Sequence, residues 1–350
     1  MEKQDFLYRG EYRRFCFYPP DERHLIRYRI LICDAGLKTK VQAALIGALM
    51  SSNASGIVLV APKNFGYTIP LVDYGPDRPV VHVPYEQGLR LKDYASGPLP
   101  QGSIDFGAGT EVPFSPAPTV ACFSGRGPSK LSPGVLKPDV LAPGVNILAG
   151  VPFAQPGRDF GFMSGTSMAA PHVSGLVALL KKQHPTWSPA IIRSALMTTA
   201  DLENNNGKRI QDENWDQQAS LYATGAGHVN VSRATDPGLA YDLDEADYTS
   251  YLCNVLGEEA MRVFFRNDTA KCSDYQTLTH EYQLNYPSIV VNIQQEPNYA
   301  HVPRTLTNLV AADGLPELYT VEVDMPWQVF VDVDPEELNF TSPGRRYRTL

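Results

Sequence analysis

GTSMAAPHVSG, residues 165–175, leads directly into the apolar run LVALL at 176–180. Apolar and small residues at 173–180 cover every face of a helix, which is typical of a helix buried in a larger domain. Ser167 then lies at the N-terminus of this helix, where backbone N–H groups favour negative charge. A nucleophilic hydroxyl placed there has a backbone donor ready for a developing oxyanion. The structural alternative is that Ser167 is an N-cap.

The string resembles, almost residue for residue, the nucleophile segment of subtilisin-like serine proteases of the plant subtilase type (peptidase S8 family). Ser167 falls on the family's nucleophile, directly after Gly165 and Thr166. Residues 123–128, FSGRGP, are similar to a family segment beside the substrate cleft, which adds Phe123 to the candidate site. The resemblance implies a serine endopeptidase that cleaves protein or peptide substrates through an acyl-enzyme at Ser167. It implies neither a cofactor nor a metal.

The catalytic-domain likeness continues on both sides of Ser167. Residues 137–149, KPDVLAPGVNILA, match a family segment in which Asp139 is structural, and they predict a strand. Ser188 and Pro189 predict the N-cap and first residue of a second helix. Apolar runs alternate with helical patterns over 119–200, which fits half of a doubly wound parallel α/β domain. We expect residues 118–245 to form the C-terminal part of this domain. Residues 201–218 are polar and predict a loop.

The segment before this domain resembles the protease-associated domain that plant subtilases carry as an insert. The resemblance covers residues 15–117. Strands are expected at 30–33, 56–60 and 80–84, helices at 38–50 and 86–94, and a closing segment at 103–106. His82, in an apolar strand, is interpreted as a packed core histidine.

Residues 246–283 form a connecting segment with a helix expected at 247–256. Residues 284–350 resemble the fibronectin-III-like domain that ends plant subtilases. Antiparallel strands are expected at 289–291, 304–308, 319–323 and 328–331. A full sandwich needs about seven strands, so this β-sandwich is expected to be truncated.

The other parts of a subtilisin-type site have no counterpart in the chain. Such a site needs an Asp, a His and an oxyanion-binding Asn beside the Ser. No Asp-Thr-Gly, Asp-Ser-Gly, His-Gly-Thr or Ala-Gly-Asn occurs, and plant family members carry these segments upstream of the inserted domain. His172 follows Ser167 by five helical positions of ~100° each, so its side chain points away from Ser167. His184 lies at the far end of the same helix, and neither histidine is expected to be the base.

We therefore expect the chain alone to be inactive, and the helix after Ser167 to lack part of its packing partner. The alternative is a non-catalytic pseudoprotease or interaction fragment that acts through the protease-associated domain.

Composition limits the remaining possibilities. With 43% apolar and 19% charged residues the chain is typical of a folded globular protein. A net charge of -8 argues against a nucleic-acid partner. Apolar runs stay well below ~18 residues, so no membrane span is predicted. No zinc-type His or Cys motif occurs.

Sequons and cysteines indicate secretion. Asn-x-Ser/Thr sequons begin at Asn53, Asn230, Asn267 and Asn339. Cys16 and Cys33 could pair in an oxidising compartment, and the family resemblance implies a disulfide between Cys253 and Cys272. Residues 1–5 carry no signal-peptide pattern. We interpret the chain as part of a protein secreted to the apoplast or cell wall whose N-terminal portion, with the signal, is missing.

Overall fold

The computed structural model describes residues 4–7, 14–36, 39–66, 79–105, 115–151, 159–213, 217–265, 271–275, 278–292, 299–309, 317–325, 328–341 and 346–349. The helices are α1 (Thr39–Met50), α2 (Tyr85–Ala95), α3 (Thr166–Gln183), α4 (Pro189–Thr198), α5 (Leu221–Thr224), α6 (Val231–Ala234) and α7 (Glu245–Met261). The strands are β1 (Gln4–Leu7), β2 (Arg29–Asp34), β3 (Gly56–Val60), β4 (Val80–Val83), β5 (Gln101–Gly102), β6 (Thr119–Val120), β7 (Ile147–Gly150), β8 (Phe160–Met163), β9 (Gln211–Asp212), β10 (Gln217–Gln218), β11 (Leu239–Tyr241), β12 (Arg304–Asn308), β13 (Glu317–Thr320), β14 (Glu337–Phe340) and β15 (Arg346–Thr349).

Two compact units divide the chain. The first consists of Met1–Ser124, Pro143–Ala169 and Asn204–Gln218. The second consists of Gly125–Ala142, Ala170–Glu203 and Ala219–Leu350.

The first unit is built on a five-stranded sheet with the order β4-β3-β2-β1-β5. Strands β1 to β4 are parallel, and β5 runs antiparallel to β1. The sequences RILICD and GIVLV are buried on both faces, as expected for parallel strands covered by helices. Leu31 and Cys33 pack into one core and Ile30 and Ile32 into another, because successive side chains point to opposite faces.

The expected strands at 30–33, 56–60 and 80–84 and helices at 38–50 and 86–94 are present, with bounds shifted by one residue at most. The segment at 103–106, expected to close the unit, follows the short strand β5; residues 103–105 form no strand, Ile104 packs against the core that contains Ile30 and Ile32, and 106 lies outside the described residues. The sheet also begins before the predicted boundary at 15, because β1 pairs with β2.

The parallel sheet expected for 118–245 does not form within the described residues. Parallel pairing there is limited to two residue pairs between β6 and β9 and a single bridge between Leu141 and His228. Pro138 and Pro143 flank the apolar segment around Leu141, and prolines cannot donate to a strand ladder. Strands β7 and β8 form an antiparallel hairpin. Strands β9 and β10 pair antiparallel at 211–212 and 217–218, so residues 201–218 are not wholly the loop that was expected.

Helix α3 is formed but is not buried on all sides. One face packs Val173, Leu176, Val177 and Leu180 onto α4, and Leu180 is the buried residue of the helix. The opposite face is exposed at 167, 170, 171, 174, 175, 178 and 179. A helix buries only the face that another element covers, and no described residue covers this exposed face of α3.

Helix α4 begins as its sequence predicts. Ser188 is the N-cap, its hydroxyl accepts a hydrogen bond from the Ile191 N–H at 3.0 Å, and Pro189 is the first helical residue. The hydroxyl also donates to Asp242 Oδ1 at 2.6 Å. The expected helix at 247–256 is longer, Glu245–Met261, and Gly257 interrupts it with φ 78° and ψ 166°.

The C-terminal strands are antiparallel, as predicted, in a β11–β12–β15 sheet and a β13–β14 pair. The strand at 304–308 is present, and that expected at 319–323 lies at 317–320. Residues 289–291 and 328–331 are not strands. Arg304 donates to the Ser288 carbonyl at 3.0 Å, beside the first run, and Phe330 in the second is 83% exposed. Among the described residues, no strand pairs with either run.

Candidate active site

Hydrogen bonds hold the segment just before Ser167 against the β7–β8 hairpin and the turn that precedes it. In the β7–β8 hairpin, Ile147 pairs with Met163, which brings the two chain segments together. Beyond this pair the Asn146 N–H donates to Ser164 Oγ at 2.8 Å. The Gly165 N–H then donates to the Gly144 carbonyl at 2.8 Å. The residues just before α3 are therefore fixed against the turn at 143–146.

Gly144 is required by this close approach. A Cβ on Gly144 would lie 2.9 Å from the Gly165 carbonyl oxygen and 3.3 Å from the Ala169 Cβ. The first distance is shorter than real Cβ contacts. Any side chain at 144 would push the start of α3 away from the hairpin.

Ser167 is exposed in the first turn of α3. Since the helix begins at Thr166, Ser167 is its second residue and not its N-cap. Its hydroxyl makes no hydrogen bond to another described residue. The start of the helix is tightened by a hydrogen bond from the Met168 N–H to the Gly165 carbonyl at 2.9 Å. The hydroxyl is thus accessible at the positive end of a helix.

The histidines near Ser167 in sequence do not serve it. His172 is exposed on α3, five positions further along the helix. His184 follows the last residue of α3, where its Nε2 lies 3.0 Å from the Thr235 carbonyl and its ring stacks on Trp187 at 3.8 Å. These contacts hold His184 in a structural role.

The more distant histidines have structural surroundings too. His228 bridges both Leu141 and Asp201 through its backbone, and burial lowers the pKa of its imidazole. His82 is half-buried in β4, and burial lowers its pKa as well. A lowered pKa from burial is expected of a packed imidazole.

Asp139 belongs to a structural cluster. Its carboxylate accepts hydrogen bonds from Lys137 Nζ at 2.8 Å and 3.1 Å and from the Tyr286 hydroxyl at 2.6 Å. Burial, followed by this hydrogen bond to Asp139, raises the pKa of Tyr286 well above its usual range. Arg193 lies over the Tyr286 ring at 4.9 Å. These contacts connect the segment around Asp139 to α4 and to residue 286.

The remaining candidate residues lie in several places. Gly165 and Thr166 adjoin Ser167, whereas Phe123 is an exposed side chain in the turn after β6. Cys122 is partly buried and is not in a disulfide. Disulfides join Cys16 to Cys33 and Cys253 to Cys272. Asn53 and Asn339 are exposed, Asn230 is half-buried, and Asn267 lies outside the described residues.

No group of three or more potential metal ligands occurs in the part of the chain that the structure describes.

Sequence reasoning missed the contacts of Gly144, Asn146 and Ser164, through which the β7–β8 hairpin positions Ser167. The sequence did carry a signal for this turn: Gly144-Val145-Asn146 stands directly before a strand, and Gly and Asn are typical turn residues. Asn146 indeed has a positive φ of 52°.

The nucleophile segment and the domain pattern define a class of protein. A profile of the Subtilase family matches residues 46–227, more than half of the chain, and a Fibronectin type-III domain profile matches 283–348. The chain therefore belongs to the subtilase family, and it combines a subtilisin-like α/β region with a fibronectin type-III domain.

Curated relatives are plant subtilisin-like proteases. Subtilisin-like protease SBT1.6 of Arabidopsis thaliana is 40% identical in an alignment of 335 positions that covers 92% of this chain and 42% of the relative. SBT1.2 of the same plant is 36% identical in an alignment of 336 positions that covers 93% of this chain and 42% of the relative. The chain thus spans about two fifths of these relatives.

Among solved structures, the psychrophilic subtilisin-like protease Apa1 from an Antarctic Pseudoalteromonas is 20% identical, with a TM-score of 0.24, over 60% of this chain and 35% of Apa1. No described helix is long and apolar enough to cross a membrane.

Proposed function

We propose that this chain is the nucleophile-bearing part of a secreted subtilisin-like serine endopeptidase. The observation that carries the proposal is Ser167, exposed and without a hydrogen-bond partner among the described residues, at the start of a helix that the 144–165 contact fixes. Its Oγ attacks the scissile carbonyl and forms an acyl-enzyme as the C–N bond breaks. Water then hydrolyses the ester.

A general base and an oxyanion-binding side chain come from polypeptide outside this chain. His184 and His228 are held by structural contacts, and the sequence carries none of the family's Asp, His and Asn segments. Loss of the base costs about a million-fold in turnover in enzymes of this class. The chain alone is therefore inactive.

The exposed face of α3 supports the same assignment. Small and apolar residues occupy it, including Ala170, Gly175, Ala178 and Leu179. Such a surface suits close packing against another element better than contact with water. In the complete catalytic domain, the polypeptide that carries the acid and the base covers this face.

The flanking regions have accessory roles in this proposal. Residues 15–117 form a protease-associated domain, supported by the compact β4-β3-β2-β1-β5 sheet, of which they contain every strand except β1, and they carry no chemistry. Residues 284–350 are a fibronectin-III-like domain. The alternative, a pseudoprotease or interaction fragment acting through residues 15–117, is favoured only by the absence of a base.

Mapping the 5′ end of the native transcript distinguishes the two functions. The protease assignment predicts an open reading frame that extends in frame through an Asp segment, a His-Gly segment and an Asn segment. A message that begins at the codon for Met1 contradicts it and favours the interaction fragment.

A further inference from the structure

The sequons of this chain differ in whether the folded protein leaves the asparagine amide accessible. N-glycosylation forms a bond between Asn Nδ2 and C1 of a sugar. The three sequons in the described residues, at Asn53, Asn230 and Asn339, can be compared directly.

Both polar atoms of the Asn230 side-chain amide make hydrogen bonds. Its Nδ2 donates to Asp201 Oδ2 at 3.0 Å and Oδ1 at 3.3 Å, and its Oδ1 accepts from the Arg233 N–H at 3.1 Å as the N-cap of α6. Arg233 also donates to Asp201 Oδ1 at 2.6 Å. A glycan on Nδ2 would separate the half-buried amide from Asp201 and open this network.

Asn339 is presented to solvent by the alternation of β14. Its neighbours Leu338 and Phe340 point inward and are 2% and 1% exposed, so Asn339 points outward. Its side chain makes no hydrogen bond to another described residue. The residue directly opposite in β13 is Leu318, which is 59% exposed.

Asn53 lies in the turn that follows α1. The turn holds its backbone: its N–H donates to the Met50 carbonyl at 3.0 Å and its carbonyl accepts from the Tyr28 N–H at 2.8 Å. The residue is exposed, and its side chain has no hydrogen-bond partner among the described residues. A glycan here displaces no described contact.

We propose that Asn53 and Asn339 carry N-linked glycans, that Asn230 does not, and that the glycan on Asn339 covers Leu318. In the transfer, the Nδ2–C1 bond forms, the C1–O bond to the diphosphate of a lipid-linked oligosaccharide breaks, and Nδ2 loses a proton. Facing residues on paired strands lie about 5 Å apart at Cβ, so the first sugar reaches the Leu318 side chain. The assignment rests on the proposed entry into the secretory pathway.

The test expresses the full chain behind a fused secretion signal in plant cells. Glycans are released enzymatically in heavy-oxygen water, and the soluble chain is mapped by mass spectrometry. Most molecules are expected to carry the label at Asn53 and Asn339, and almost none at Asn230. Because the signal is supplied, this result does not depend on whether the native protein is secreted, which localisation of the native protein tests separately.

Matched sequon variants give an independent readout. Thr341→Ala removes the sequon of Asn339 without changing Asn339, and it is expected to increase gel mobility by one glycan and to raise binding of a hydrophobic dye. Ser232→Ala removes the sequon of Asn230 and is expected to leave mobility unchanged. In unglycosylated chain made in bacteria, Thr341→Ala is expected to leave dye binding unchanged.

A glycan on Asn230 of the soluble chain, or a bare Asn339, overturns the site assignment. Equal dye binding by glycosylated wild type and Thr341→Ala overturns the covering of Leu318.

Discussion

Gly144→Ala tests whether the turn at 143–146 positions the nucleophile segment. The new Cβ would lie 2.9 Å from the Gly165 carbonyl oxygen, so that oxygen must retreat by about half an ångström to reach ordinary contact. The movement strains the hydrogen bond from the Gly165 N–H to the Gly144 carbonyl. Overpacking of this kind destabilises by about 1–3 kcal/mol.

Hydrogen exchange of peptides covering 164–172 measures the effect. A loss of about 1–3 kcal/mol corresponds to exchange that is roughly five- to one-hundred-fold faster at the start of α3, since 1.4 kcal/mol is tenfold. In the complete protease, misplacement of Ser167 is expected to slow its acylation by up to about 100-fold.

Gly175→Ala is the matched control. Gly175 lies inside α3, and a Cβ there would meet no atom within 4 Å. Alanine in a helix interior is more favourable than glycine by about 1 kcal/mol, so exchange within α3 is expected to slow. If Gly144→Ala exchanges like wild type, the close approach of 144 to 165 does not position the nucleophile segment, and the reasoning is refuted.

Three further changes test other parts of the fold. Ser188→Ala removes the N-cap of α4 and is expected to lower the unfolding free energy by about 1–2 kcal/mol in urea titrations; Ser220→Ala, where no side-chain cap exists, is the control. Cys272→Ser opens a disulfide with a sequence separation of 19 and is expected to cost about 3 kcal/mol, seen as faster proteolysis at the end of α7. Burial, followed by a hydrogen bond to a neighbouring Glu, raises the pKa of Tyr319 from 10.0 to about 12. Stability that is present below pH 10.0 is therefore lost as the pH rises towards 12. Tyr319→Phe is expected to flatten this alkaline decline in stability and to make the late phase of the tyrosinate absorbance titration smaller by one tyrosine; Tyr299→Phe, at an exposed site, is the control. An unchanged alkaline decline in stability in Tyr319→Phe, or equal effects of Ser188→Ala and Ser220→Ala, would contradict these assignments.

Local patterns predicted much of the fold because the information was local. β2 and β3 are continuous apolar runs bounded by turns, which is why both strands were predictable, whereas their parallel pairing was not predicted. The Ser188-Pro189 pair sets the start of α4 through one hydrogen bond and one fixed φ angle. The nucleophile segment was visible as a contiguous string.

Features that depend on a distant partner were not predictable in the same way. The composition of α3 indicates which faces could be buried, but not whether an element covers them, and here one face is exposed. Residues 289–291 and 328–331 have strand-like composition, but no described strand pairs with them. The contact between Gly144 and Gly165 depends on the β7–β8 register, which no single segment encodes.

The most direct test of the central claim is fluorophosphonate labelling of the native protein from its source tissue, with peptide mapping of the modified serine. We expect covalent modification at Ser167 in the native protein, none in a Ser167→Ala variant, and none in the recombinant 350-residue chain alone. A folded native protein that contains the upstream Asp and His segments but leaves Ser167 unmodified would contradict the assignment of Ser167 as the nucleophile.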